Sequence, residues 1–298
     1  MTSNEAPEHG GGRPGLPFDP GVAHQARMYD YMLGGSNNYA VDRAAADEMM
    51  RASPEQAFSA RANRAFLGRA VRYLTAEAGI RQFLDIGTGI PTAGNIHEVA
   101  QAIAPETRVV YVDYDPLVLA YAKTLLASSE QGATNYIHAD MRDTATVLTQ
   151  AANLLDFTQP VAVTMLAILH AIPDSEDPYG IVATLMDAVP PGSYLAISHG
   201  AADLLDQEAL DRLMDVTNRS VQQKGAPRTR EQVARFFDGL DLVEPGLVRV
   251  GEWRPEPGPD WAGTSTWWCA VGRKRLSRAV IAMVAAAAAA SAATQDDH

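Results

Sequence analysis

A change of hydrophobic period at Gly79 constrains this chain more than any other feature of it. Beyond that point short runs rich in β-branched and aromatic residues alternate with helix-patterned segments. The runs are RQFLDIG (81–87), RVVYVD (108–113), TNYIHA (134–139), PVAVTMLAIL (160–169) and SYLAISHG (193–200). Helical stretches lie between them at about 93–104, 116–128, 144–155 and 178–189. Strands joined by crossover segments of that length run parallel, and a parallel sheet needs helices on both faces. A helix over 206–223 and another from Thr229 lead to LDLVEPGLVRV (240–250) and STWWCAVGR (265–273). The link between these two runs is too short and proline-rich for a crossover helix, so they are predicted to pair antiparallel. The expected fold is α/β, a mostly parallel sheet of seven strands whose last strand is reversed.

The region ahead of Gly79 reads as helical. Phe58, Ala62, Ala65, Phe66, Val71, Leu74 and Ala78 recur at three- and four-residue intervals and mark one buried face. Asp42 and Ser53-Pro54 are each expected to open a helix, with Ser53 as the cap and Pro54 in the first helical position. This divides the chain into a Gly/Pro-rich leader (1–20), a helical cap (21–79), the sheet domain (80–275) and an Ala-rich tail (276–298). The leader lacks the basic head and apolar run of a signal peptide. The apolar part of the tail, Ala279 to Ala290, spans 12 residues, against the ~20 that a membrane crossing requires.

Charge narrows the possible partners. The net charge is −12, and residues 81–215 alone carry 18 acidic against 5 basic groups. Such a surface repels phosphate backbones, which argues against a nucleic-acid substrate. The single cysteine, Cys269, cannot form an internal bridge, so the chain suits a reducing cytoplasm.

The chemistry is expected at three strand ends. The first reads Asp85-Ile-Gly87-Thr88-Gly89. Its glycines permit a sharp turn and close backbone approach of a ligand, while the following helix is expected to aim free N–H groups at it. A dinucleotide fingerprint wants a third glycine where Thr92 stands and disfavours a carboxylate beside the pyrophosphate. Asp85 suits instead a ligand bringing positive charge, such as an ammonium and a sulfonium. The second strand ends in Asp113-Tyr114-Asp115, where Asp113 can accept both hydroxyls of a ribose and Asp115 is read as the cap of the helix opening at Pro116. After the third strand, Asp140 can accept from an exocyclic adenine amine while Met141 packs the ring. A plain turn or capping role for Asp140 is the competing reading.

Taken together, these spaced strand ends look like the S-adenosylmethionine site of a seven-stranded, Rossmann-like class I methyltransferase. The segments Ala26–Tyr39 (ARMYDYMLGGSNNY), Ala60–Phe66 (ARANRAF), Gly94–Gln101 (GNIHEVAQ) and Phe236–Leu240 (FFDGL) narrow this. They resemble the actinobacterial S-adenosyl methyltransferase family, formerly a domain of unknown function, over roughly residues 20–275. The resemblance implies S-adenosyl-L-methionine as cofactor, with Asp85, Gly87, Thr88, Gly89, Asp113, Tyr114, Asp140 and Met141 around it. It also implies a use for the N-terminal helices as a cover. There the polar turn from Gly34-Gly35 to Asn38 and Tyr39 is expected to act as a lid, the competing reading being a plain helix connection. His170 and His199, after the fourth and fifth strands, are the candidate catalytic bases; a buried, hydrogen-bonded structural histidine is the alternative at each. His97 is read as structural, and no metal-ligand spacing is present. The expected acceptor is a small molecule. Two other readings stay open at this point: a catalytically silent S-adenosylmethionine-binding regulatory module, and a nicotinamide-dependent oxidoreductase.

Overall fold

A computed structural model of the chain describes residues 19–125, 128–221, 224–257 and 265–275. The leader up to residue 18 and the alanine-rich tail, with the expectations attached to them, lie outside the described residues.

Five parallel strands build the sheet's main part: β1 (Gln82–Ile86), β2 (Arg108–Asp113), β3 (Ala133–His138), β4 (Ala162–Leu166) and β5 (Tyr194–Gly200). Three more follow, β6 (Leu240–Leu242), β7 (Val248–Arg249) and β8 (Trp267–Lys274). The spatial order is β3-β2-β1-β4-β5-β8-β6, with β7 also paired to β8. β8 runs antiparallel to β5 and to both β6 and β7. The reversed strand is thus the expected one. The run 240–250, however, forms two short strands rather than one. Pro245 has no N–H to give the ladder, and Gly246 turns the chain at φ +88 between them.

Helices α4 (Ile96–Gln101), α5 (Pro116–Leu125), α6 (Thr144–Ala151) and α7 (Pro178–Asp187) serve as crossovers between the parallel strands, and α8 (Gln207–Ser220) and α9 (Arg230–Ala234) follow β5. Alternate residues of the central strands face opposite ways, as the pleat requires. Phe83, Val109, Tyr111, Ala162 and Ala196 pack with Phe66, Ile96 and Ala100 on one face. Leu84, Ile86, Val110, Val112, Val163 and Leu195 pack with Val147, Ile181, Leu185 and Phe236 on the other. Each buried Val, Leu, Ile or Phe among them contributes ~1.5–3 kcal/mol by leaving water, so the sheet is a rigid base for its C-terminal edge.

The N-terminal helices α1 (Gln25–Met32), α2 (Ala40–Ala52) and α3 (Glu55–Arg72) sit against this base. Met28 and Met32 of α1, Ala45 and Ala46 of α2 and Ala60 of α3 form a small core of their own with Val221. Two helix starts differ from expectation. Tyr39 precedes α2, and Asp42 enters at its third position, where the carboxylate accepts the Tyr39 N–H at 2.8 Å. The same buried carboxylate pairs with Arg27 at 3.0 Å and accepts the His24 N–H at 2.9 Å, so it ties α1 to α2 as well. Ser53 ends α2 in extended backbone, and Pro54 rather than Ser53 stands directly before α3 at Glu55.

Candidate active site

The site grows from the tips of β1 and β2. Asp85 pairs in register with Tyr111 of β2 and Thr164 of β4, which buries it between two neighbours, and the Thr164 hydroxyl donates to its carboxylate at 2.5 Å. Burial pushes its pKa up to about 6, against the opposing pull of hydrogen bonds from Thr164 and Thr88 and of the Arg64 charge. Just beyond, Gly87 adopts φ +74 and Gly89 φ +66. A Cβ on Gly87 would stand 2.5 Å from Ile168 Cγ1, so this is a close approach as well as a left-handed turn. The Gly87 N–H donates to Val112 O at 2.8 Å.

The expected helix does not follow the turn directly. α4 begins only at Ile96, and its leading N–H groups are spent within the protein: Glu98 accepts from Gly94 and Asn95, and the His97 N–H donates to the Tyr111 hydroxyl at 2.9 Å. The intervening loop is instead held from α3. Arg64 donates to Thr92 O, Ala93 O and Asn95 Oδ1 at 3.0–3.1 Å. His97, buried against Tyr111 at 2.8 Å, is structural as read from sequence.

Asp113 closes β2. Its Oδ2 accepts the Gly89 N–H at 2.8 Å and its Oδ1 the Asp115 N–H at 3.0 Å, which locks the carboxylate's plane while each oxygen keeps a lone pair. Burial raises its pKa, opposed by those two bonds. Asp115 caps α5 through the Leu117 N–H at 2.8 Å. It also meets His24 at 3.1 Å, and the other ring nitrogen of His24 lies 3.4 Å from the Tyr114 hydroxyl. The N-terminal segment is thereby fastened over the tip of β2.

A large cavity opens above these tips, lined among others by Asp85, Gly87, Thr88, Gly89, Asp113 and Tyr114. A smaller one adjoins it through Gly87, Asp113 and Tyr114 and is lined further by Asp140, Met141 and Arg142. Met141 is buried, whereas Asp140 is half exposed and paired with Arg142 at 2.8 Å, which also reaches Glu176 at 2.5 Å. The eight residues assigned by resemblance around the strand tips therefore line two joined hollows.

Asn38 and Tyr39 are not among the residues lining either hollow. Buried Asp30 holds their turn, its Oδ2 accepting from the Asn37 N–H and from Asn38 Nδ2, each at 2.9 Å. Arg27 lies over the Tyr39 ring at 5.3 Å. The cover is made instead by α1 and the residue before it, which put His24, Gln25, Ala26, Met28 and Tyr29 on the cavity wall.

The two histidines come together but do different things. Their rings lie 5.7 Å apart, edge to face. His199 is fully buried; Arg228 donates to its Nε2 at 2.9 Å and its Nδ1–H donates to Gly200 O at 2.9 Å. Burial first, then the proximity of His170 and of the Arg228 guanidinium, lower its pKa against the opposing bond to Gly200 O. With both nitrogens spent and no face on the cavity, it is a structural histidine rather than a base. His170 does line the cavity. The Gly200 N–H donates to its Nδ1 at 3.3 Å, and the Gln25 amide nitrogen lies 3.1 Å from its Nε2. Burial and Arg228 push its pKa down to about 4. His170 thus presents the cavity with a neutral ring whose two nitrogens are held by Gly200 and Gln25. Sequence reading passed over the residue organising both: Arg228, buried, also donates to Leu169 O, Ile172 O and Asp174. Nothing in its local pattern, an arginine between Pro227 and Thr229, marks it out.

Among the described residues no cluster of histidine, cysteine and carboxylates could hold a metal, and no helix is long and apolar enough to cross a membrane. No curated protein matches the chain. Two solved structures do so closely. One, a DUF574 family protein from Streptomyces avermitilis, is 46% identical with a TM-score of 0.80, the match covering 85% of this chain and 98% of that one. The other, a candidate methyltransferase from Thermobifida fusca, is 38% identical with a TM-score of 0.80, covering 88% and 98%. A family model described as S-adenosyl methyltransferase matches residues 14–275. With this match spanning both the strand-tip site and the helices that roof it, the chain belongs to the S-adenosyl methyltransferase family and takes S-adenosylmethionine as its cofactor.

Proposed function

We propose that this chain moves the methyl group of S-adenosylmethionine onto a small-molecule acceptor, using Asp85 to Gly89 for the methionine end, Asp113 for the ribose, and Asp140 with Met141 for the adenine. The observation that carries the reading is the pair of joined hollows, which places two buried carboxylates and a glycine cradle side by side along the sheet's C-terminal edge. The residues fit the cofactor on chemical grounds. Asp85 and Asp113 supply negative charge and free lone pairs, and Gly87 lines both hollows with backbone alone, a Cβ there being excluded by Ile168. The same carboxylates oppose a nicotinamide dinucleotide, whose pyrophosphate would meet Asp85.

The bound cofactor supplies an electrophilic methyl group on a positively charged sulfur. Transfer then depends chiefly on in-line approach, for which orientation can contribute up to ~7–11 kcal/mol. α1 and α8 exclude water above the site through Met28, Tyr29, Leu213 and Met214. His170, fixed by Gly200 and Gln25, sets a neutral ring on the cavity wall against which an acceptor can be oriented. Turnover of S-adenosylmethionine to S-adenosylhomocysteine with candidate acceptors tests the reading against a silent binding module.

Replacing Asp113 by Ala is expected to weaken S-adenosylmethionine binding by ~1.5–3 kcal/mol, the usual worth of charge-assisted bonds, in titration calorimetry on folded protein. Unchanged affinity would move the ribose elsewhere. A second expectation concerns pH. The Asp85 carboxyl, at about 6, is mostly ionised at neutral pH and mostly protonated at pH 5. A cationic ligand prefers the ionised form, so affinity should fall roughly tenfold from pH 7 to pH 5, or ~1.4 kcal/mol. The Asp85→Asn variant should bind more weakly at pH 7 and lose most of that slope; an identical slope in the variant would remove Asp85 from the cofactor's charge.

A further inference from the structure

The part of the large cavity away from the strand tips has a chemistry of its own. Its wall is rich in methionine, with Met28, Met32, Met49 and Met214, and includes the indole of Trp267. Methionine is polarizable and adaptable and packs well on aromatic rings. Polar atoms are built into this wall as well. Tyr29 lies along Trp267 with ring centroids 6.3 Å apart, and its hydroxyl donates to the Ala60 carbonyl at 3.0 Å. Having one proton, that hydroxyl can only accept from Asn63, whose Nδ2 stands 2.9 Å away. The amide orientation is thereby fixed, and Asn63 Oδ1 is left buried without a partner in a residue that is 4% exposed and lines the cavity. Asp30 Oδ1, on the same wall, is likewise buried and unpartnered.

The charges point the same way. Among the described residues lining the cavity the cations are Arg64 and, when protonated, His24. Arg64 spends its Nη2 on the loop after β1, and His24 faces Asp115. A carboxylate or phosphate brought into the methionine-lined part would lose its hydration and meet two unpartnered acceptors, Asn63 Oδ1 and Asp30 Oδ1.

Building on the methyltransferase reading, we propose that this pocket takes a neutral, aromatic, largely apolar acceptor that presents a hydroxyl or N–H donor to Asn63 Oδ1, and rejects phosphorylated or carboxylated molecules. The full chain, loaded with S-adenosylhomocysteine, is titrated by fluorescence with 4-methylumbelliferone, with 4-methylcoumarin, which lacks the hydroxyl, and with 4-methylumbelliferyl phosphate. The hydroxylated neutral probe should bind at least about tenfold more tightly than the phosphate and about fivefold more tightly than the plain coumarin. Asn63→Leu should erase the second preference while S-adenosylhomocysteine affinity stays within about twofold. Equal or tighter binding of the phosphate, no advantage for the hydroxyl, binding of none of the three, or a preference that survives in Asn63→Leu would overturn the proposal. So would a natively melting Asn63→Leu protein that has lost S-adenosylhomocysteine, since Asn63 would then serve the cofactor. Should that variant not fold, the comparison of probes on the natural chain still decides. Failure of the natural chain to bind S-adenosylhomocysteine would defeat the methyltransferase reading itself and the proposal with it.

Discussion

Gly87→Val should abolish S-adenosylmethionine binding, a loss of at least about 100-fold or ~2.7 kcal/mol in calorimetry. Two separate obstacles act at this position. Gly87 is held at φ +74, where an L side chain costs ~1–2 kcal/mol and a β-branched one is worse. Its Cβ would also stand 2.5 Å from Ile168 Cγ1 and 2.8 Å from Ile168 Cβ, well inside contact distance. Ile168 lines both hollows, so relieving the clash pushes a side chain or the loop into the space meant for the ligand. Gly79→Ala separates strain from occlusion: that residue has φ +71 but nothing within 4 Å of its Cβ. It should lower the melting temperature and leave affinity intact. Native affinity in Gly87→Val would place the cofactor away from this turn.

How much of this was legible in the sequence follows from the range over which each signal acts. Strand positions and the antiparallel return were readable because alternation and crossover length are local properties that a parallel sheet must satisfy. That Asp85, Asp113 and Met141 gather at one edge was readable because each sits at or just past a strand end, and strand ends converge on one edge whatever the packing of the helices. The starts of α2 and α3 were misplaced for a different reason. Asp42 can serve as a cap or as the third residue of a capping box, and its ties to Arg27 and His24, distant in sequence, favour the second. The same applies to Asn38 and Tyr39, a polar turn that looked free to close over a ligand but is occupied by Asp30. Residues such as Asn63, Arg64 and Arg228 owe their roles to partners from 28 to 59 positions away, and no local pattern announces that. The Arg64 segment was visible as a family motif, though its hold on Thr92 and Ala93 was not.

Arg228 gives the other large effect. It is 2% exposed and donates to Leu169 O at 3.0 Å, Ile172 O at 2.9 Å, His199 Nε2 at 2.9 Å and Asp174 Oδ1 at 2.6 Å. Its own backbone continues the pattern, its N–H donating to Gly200 O at 3.1 Å and its carbonyl accepting from Ala202 at 3.0 Å. One guanidinium therefore joins the loop after β4 to the end of β5, the two segments that set His170. Replacement by Met keeps the apolar stem and removes the fork, leaving two buried carbonyls and His199 without a donor. Loss of ~3–5 kcal/mol is expected, with a fall in melting temperature of roughly 10 °C. Lys should not restore it, because a single ammonium cannot span acceptors set in four directions. The change should also be visible in titration. Arg228 is one of two causes, after burial, that hold the His170 pKa down from 6.5 to about 4. A histidine that binds its proton less tightly when folded than when unfolded makes the fold less stable as pH drops, here from about 6.5 toward about 4. In Arg228→Met the His170 resonance should titrate at a higher pH, and the acid-side loss of stability should set in over a narrower range. A variant that melts like the natural protein, with the His170 titration unmoved, would mean that the loop and β5 are held together by their backbone bonds and that the arginine merely fills space.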